Sequence, residues 1–123
     1  MTNHLRVLCV DDNRDNARSV ADLLARSGCE TRACFDGASA LREAAAFDPD
    51  VCVLDLTMPG IGGVELAGLL RARAGHPLRL IALTGRWDIA ASHQTHNAGF
   101  ERHLIKPADP KGLIEAVTCH VAV

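Results

Sequence analysis

The sequence predicts an α/β fold in which a parallel five-stranded sheet is covered by helices on both faces. Three observations carry that expectation. The apolar runs Val7-Leu8-Cys9-Val10, Val51-Cys52-Val53-Leu54 and Leu80-Ile81-Ala82-Leu83 cannot alternate between core and water, so each reads as a strand buried on both faces. Stretches with a period near 3.6 separate them. Each run also stops at polar residues, Asp11-Asp12, Asp55 and Thr84, where open α/β sheets build their sites.

Taken in order, residues 5–10 form the first strand. A helix over 14–27 follows, with Ala17, Val20, Ala21 and Leu24 at i, i+3, i+4 and i+7 and Gly28 as its C-terminal stop. Residues 29–34 make a short, more polar strand, as expected near a sheet edge. Asp36-Gly37 turns the chain into a second helix over 38–46, with Ala38, Leu41 and Ala45 inward, and Asp48-Pro49 ends it.

The strand Val51–Asp55 is the one around which the rest is arranged. Pro59-Gly60 and Gly62-Gly63 force a loop directly after it and leave the Asp55 carboxylate at the carboxyl edge of the sheet. A third helix over 64–73 buries Leu66, Leu69 and Leu70. Residues 80–83 form the fourth strand, ending at Thr84-Gly85, and a weaker fourth helix over 86–98 closes at Gly99. A fifth strand over 100–105 ends at Lys106-Pro107. Asp109-Pro110, an N-cap acceptor followed by proline at the first helical position, starts a fifth helix with Leu113, Ile114, Val117 and Val121 on its apolar stripe.

Five strand–helix repeats with short connections imply right-handed crossovers. A barrel would need eight such units, so an open flavodoxin-like sheet in the order 2-1-3-4-5 with five helices is expected. With 123 residues, one domain over residues 1–123 accounts for the chain.

Composition narrows the function. Thirteen Lys and Arg against 15 Asp and Glu, with four aromatic residues, provide neither the basic surface nor the stacking platforms of a nucleic-acid-binding domain. Cys9, Cys29, Cys34, Cys52 and Cys119 are odd in number and show no Cys-x-x-Cys spacing, so they read as small hydrophobes in a reducing compartment. No apolar run reaches the roughly 20 residues of a membrane span, and Met1-Thr2-Asn3-His4 does not open a signal peptide. A cytoplasmic location is expected.

The strand ends together present Asp11, Asp12, Asp55, Thr84 and Lys106. Two carboxylates roughly 5 Å apart repel by about 3 kcal/mol at an effective dielectric of 20, so three of them call for a cation. An all-oxygen set with room for waters suits Mg²⁺, or Mn²⁺, better than zinc. A carboxylate beside such an ion, faced by an ammonium and a hydroxyl, can attack phosphorus and become an aspartyl phosphate. Taken singly, each residue reads more simply as a cap, a turn former or part of an acidic pocket bridged by Lys106. Five at one edge argue against coincidence.

In these motifs, Asp11-Asp12, the Asp55-Leu56-Thr57-Met58-Pro59-Gly60 segment, Thr84-Gly85 and Lys106-Pro107, the chain resembles the receiver domain of two-component response regulators over about residues 5–121. The resemblance implies a phosphoprotein in a phosphorelay, in which a sensor histidine kinase or histidine phosphotransfer protein donates a phosphoryl group to Asp55. It implies Mg²⁺ held by Asp12, Asp55 and the Thr57 carbonyl, with Asp11 acting through water, and a cis Lys106-Pro107 bond. Lys106 would pair with the phosphoryl oxygens. Thr84 would move toward them and bias an output face, made by the fourth helix, fifth strand and fifth helix, toward a downstream effector. The module would catalyse only its own phosphorylation and dephosphorylation.

One departure stands out. His103 occupies the place, three residues before the lysine, where the family usually has a tyrosine or phenylalanine as partner of the switch hydroxyl, a pattern reminiscent of receivers attached to hybrid sensor kinases. Because imidazole is the one kind of side chain whose unperturbed pKa, near 6.5, lies in this range, His103 is expected to make the switch respond between pH 6 and 8. Two other readings compete. A Mg²⁺-dependent phosphohydrolase would need a second acid–base aspartate where Thr57 stands and a cap over the site; a receiver-like module that signals without phosphorylation would not need the full residue set.

The remaining features have plainer readings. His93 and His96 read as a solvated helix face, Gly60, Gly62 and Gly63 as loop hinges without a P-loop lysine, and Trp87 equally as an output contact or a helix-start residue. Thr57 and Arg86 flank the approach of water to Asp55, and neither is a good general base, so a long-lived phosphorylated state is expected.

Overall fold

A computed structural model describes residues 5–58, 60–85 and 99–118. Five parallel strands, β1 (Arg6–Val10), β2 (Glu30–Cys34), β3 (Val51–Asp55), β4 (Arg79–Thr84) and β5 (Arg102–Ile105), lie in the order β2-β1-β3-β4-β5. The helices are α1 (Arg14–Arg26), α2 (Gly37–Phe47), α3 (Gly63–Arg73) and, near the C-terminus, α4 (Pro110–Thr118). The expected sheet order is therefore found, together with four of the five expected helices. The stretch expected to be the fourth helix, residues 86–98, lies outside the described residues, as do Arg86, Trp87, His93, His96, Cys119 and Val121.

The sheet divides the core by the alternation of its strands. Leu8, Val10, Cys52, Leu54, Leu80 and Ala82 face α2 and α3, where they meet Ala40, Phe47, Leu66 and Leu70. Val7, Cys9, Val51, Val53, Ile81 and Leu83 face α1 and α4, against Leu24, Leu113 and Val117. The doubly apolar runs are thus strands whose successive side chains feed two different cores. Burial of each large aliphatic side chain contributes about 1.5–3 kcal/mol.

Two helix faces differ from expectation. On α2 the buried residues are Gly37, Ala40 and Phe47, with Leu41 partly buried, whereas Ala38 and Ala45 are exposed. In an alanine-rich helix the small side chains give no contrast between faces, and the anchoring of Phe47 sets the rotation. On α3 the buried set is Gly63, Leu66, Ala67 and Leu70, leaving Leu69 half-buried. β5 begins at Arg102, two residues later than its apolar pattern suggested, because Gly99 enters at φ +83° and Phe100 tucks into the α2–α3 core instead.

Local caps follow the sequence. Asn13 and Asp36 accept backbone N–H bonds from Asn16 and Ser39 at 3.1 and 2.7 Å, starting α1 and α2. Asp109 accepts from Gly112 N–H at 3.1 Å at the start of α4. Gly63 is required by space: a Cβ there would sit 2.5 Å from the Asp55 carbonyl oxygen, so α3 begins directly against the end of β3.

Candidate functional site

The parallel register delivers the predicted residues to one edge. Val10 pairs with Leu54 and Asp55 with Leu83, so the chain leaves β1, β3 and β4 at Asp11, Asp55 and Thr84 on neighbouring strands. All three are buried, with Asp11 3%, Asp55 2% and Thr84 1% exposed. Asp12 is exposed beside them, and carboxylate oxygens of Asp11, Asp12 and Asp55 lie within 4.8 Å of one another. Lys106 comes from the end of β5, where its backbone N–H donates to the Thr84 carbonyl at 2.7 Å. The Lys106-Pro107 bond is cis, as expected.

Lys106 Nζ stands 2.7 Å from Asp11 Oδ2 and 3.5 Å from Asp55 Oδ2. At Asp11 this is a close ion pair lacking the geometry of a directed hydrogen bond. One ammonium thus serves two buried carboxylates. Asp11 Oδ1 also accepts from Asn13 N–H at 3.0 Å. Burial, reinforced by the Asp55 charge, nevertheless raises the Asp11 carboxyl above its ordinary value, against the pull of Lys106 and Asn13. Burial pushes the Lys106 ammonium down, but the two carboxylates outweigh it and hold it above the usual lysine range.

Asp55 is gripped from the other side. Its Oδ1 accepts from the Thr57 backbone N–H at 3.0 Å and from the Thr57 hydroxyl at 3.2 Å, which leaves Oδ2 turned toward Lys106. Sequence reasoning gave Thr57 a metal-facing carbonyl and a side chain beside the water's approach, not a bond to Asp55. The hydroxyl contact was foreshadowed by the spacing, since an aspartate two residues before a threonine can close a turn of this kind.

This donor set fits a hard divalent cation. Oxygens at opposite vertices of an octahedral Mg²⁺ shell stand about 4.2 Å apart, so three carboxylates spread over up to 4.8 Å suit an ion that takes part of its shell as water. A cation there would also relieve the charge crowding that raises Asp11.

His103, on β5 opposite Ala82 of β4, is half-buried, and burial lowers its imidazole below the ordinary value. It is therefore neutral throughout the neutral range, which moves the expected pH response from the pH 6–8 window to the acid side of about 6.5. Three cysteines are unreactive by burial, which pushes the Cys52 thiol up to about 12 and Cys34 to about 11, and raises Cys9 further.

Comparison with known proteins gives the family. Residues 7–118 match the model of the response regulator receiver domain. The chain belongs to that family. It is 32% identical over 112 residues to the DNA-binding response regulator MtrA of Mycobacterium tuberculosis, covering 91% of this chain and 48% of MtrA. It is also 37% identical over 102 residues to the transcriptional regulatory protein PrrA of Mycobacterium leprae, covering 83% and 43%. The receiver domain therefore spans about half the length of the curated relatives it matches. Among solved structures it is similar to chemotaxis protein CheY4 of Vibrio cholerae (TM-score 0.86, 26% identity, 92% of this chain and 95% of that one). A response regulator of Chloroflexus aurantiacus gives a TM-score of 0.82 at 31% identity over 94% and 95%. Receiver domains are signalling modules of two-component systems, and no helix among the described residues is long and apolar enough to cross a membrane.

Proposed function

We propose that this receiver domain accepts a phosphoryl group on Asp55 from a phosphohistidine of a sensor kinase or phosphotransfer protein. The observation that carries the reading is the buried Asp55 carboxylate, turned toward Lys106 at 3.5 Å beside two further carboxylates, in a chain of this family. An Asp55 oxygen attacks phosphorus, the phosphorus–nitrogen bond to the donor imidazole breaks, and the departing nitrogen keeps the electron pair and takes a proton. Lys106 offsets charge on the phosphoryl oxygens, and the buried Thr84 hydroxyl is the donor on the neighbouring strand.

Mg²⁺, or Mn²⁺, when bound, offsets further negative charge at the same oxygens; Asp12, Asp55 and the Thr57 carbonyl would hold it, with Asp11 acting through water. The domain turns over only its own phosphoryl group and carries it on residues 1–123 as one unit. The paucity of aromatic and basic residues argues against nucleic acid as its direct partner.

Two surfaces support partners. A groove of about 570 Å³ between α1 and α4 opens beside Lys106 and is lined by Asn16, Val20, Leu23, Pro107 and Leu113, which suits the phosphodonor protein. On the β5 side, Ile105 is a large apolar side chain left 49% exposed, which suits a downstream effector, with Thr84 and His103 linking it to the acceptor. Free cysteines at Cys9, Cys29, Cys34 and Cys52, all but Cys29 buried, fit a cytoplasmic location.

The test is incubation with acetyl phosphate and Mg²⁺, read by intact mass. A single acid-labile addition of about 80 Da, one phosphoryl group, supports the reading. Catalytic hydrolysis of unrelated phosphate monoesters would mean a phosphohydrolase, and an unchanged mass would mean a module that signals without phosphorylation.

A further inference from the structure

At the amino end of the sheet, away from Asp55, a cavity of about 110 Å³ lies between α2 and α3, lined by Leu41, Ala44, Leu70, Ala74 and Leu78 with Asp48 and Arg73 at its rim. His76, in the loop between α3 and β4, reaches Asp48, one of the residues lining that cavity. Its Nε2 lies 3.0 Å from Asp48 Oδ1, and its Nδ1 lies 3.0 Å from the Pro77 carbonyl oxygen.

A carbonyl and a carboxylate can only accept hydrogen bonds. A neutral imidazole has one N–H, so one of these two contacts would place lone pair against lone pair; an imidazolium satisfies both. The backbone of Asp48 is itself held in place, since it caps α2 in the left-handed region at φ 53° and its N–H donates to the Ala44 carbonyl at 2.9 Å.

We infer that His76 is a proton-operated latch, which as imidazolium ties the α3–β4 loop to the end of α2 and narrows the mouth of the cavity between the two helices. The charged groups acting on it are Asp48 on the α2 cap and Asp50 ahead of β3, whose Oδ2 accepts from Arg6 N–H at 2.9 Å. The two carboxylates favour the protonated ring. The Pro77 carbonyl, with Asp48 and Asp50, holds the imidazole above its ordinary value. The latch is therefore closed below about pH 6.5 and opens as pH rises through the raised value. Its other end matters too, because α3 runs from the latch to Gly63, packed on the Asp55 backbone.

The experiment is a histidine ¹⁵N NMR titration of the intact protein, with the methyl resonances of Leu41 and Leu78 followed in the same samples. The expected result is a His76 midpoint above 6.5 with both ring nitrogens protonated on its acid side, and leucine methyl shifts sharing that midpoint. Asp48→Asn, which the left-handed cap position tolerates, should lower the midpoint toward 6.5, the Pro77 carbonyl and Asp50 remaining in place, and His76→Gln should remove the leucine inflection. A His76 midpoint at or below 6.5 that ignores Asp48→Asn overturns the inference. So do leucine methyls that show no inflection at the His76 midpoint.

Discussion

The two ends of the sheet handle charge differently. At the amino end, the Arg79 guanidinium, 15% exposed, donates to both oxygens of Glu101 at 2.8–3.3 Å and to the carbonyls of Ala116 and Val117 at 3.0 and 2.8 Å. One cation there meets one anion and the last turn of α4, whose dipole favours positive charge. At the carboxyl end, Lys106 stands between two buried carboxylates with a third beside them. Matched charge holds elements together, whereas a surplus of one sign is tolerated where something of the other sign is to arrive.

The sharpest way to break that comparison is to alter each end in turn. Asp55→Asn should abolish acid-labile labelling from a small phosphodonor while leaving the fold intact. Arg79→Met should do the reverse, keeping one phosphoryl group per folded molecule but lowering stability by roughly 1–2 kcal/mol, read from the urea midpoint, since Glu101 and two helix carbonyls lose this donor. Labelling that survives in the Asp55 variant, or disappears in folded Arg79→Met, erases the distinction.

The surplus itself makes a smaller, signed prediction. A carboxyl held above its ordinary value favours the fold only when protonated, so the Asp11 contribution is complete below about pH 4 and is lost as pH rises through the raised value. Without metal, Asp11→Asn should therefore melt higher than wild type at pH 7, by about 1 kcal/mol or a few degrees, and lack the decline between acid and neutral pH. Mg²⁺ at ten times its Kd should stabilise wild type by about 1.4 kcal/mol, and Asp12→Ala should lose that gain. Calorimetry with and without Mg²⁺ measures both.

His103 offers the smallest effect. Burial lowers its imidazole, so the neutral ring supports the fold above about pH 6.5 and that support fades as pH falls through the lowered value. Melting curves of wild type and His103→Phe at pH 7.5 and 5 should diverge only in acid, by less than about 1 kcal/mol. Parallel curves would mean that the imidazole is freely hydrated.

What could be read in advance divides along the same physical line. Val51–Asp55 is found with the expected bounds, because a β-branched run ending in aspartate and followed by glycines leaves no other period. The gathering of Asp11, Asp12, Asp55, Thr84 and Lys106 at one edge was legible because each ends or follows a strand, and a parallel sheet sends all strand ends the same way. The face of α2 was not legible, since alanines weigh the same on either side. Nor were the pairs Arg79 with Glu101 and His76 with Asp48, which are 22 and 28 residues apart and are brought together only by tertiary packing. Arg14 and Arg18, both stacked over Phe35 at 4.6 and 5.4 Å, belong to the same class.

The placement of β3 has a dynamic consequence. It is flanked on both sides by β1 and β4 and buried at every position, whereas β5 is a four-residue edge strand with no fully buried residue. Amide hydrogens of β3 should exchange with deuterium only through global unfolding, and those of β5 through cheaper local opening. Asp55 thus rides on the slowest-opening part of the molecule and Lys106 on a faster one, so the two sides of the site open at different free-energy cost.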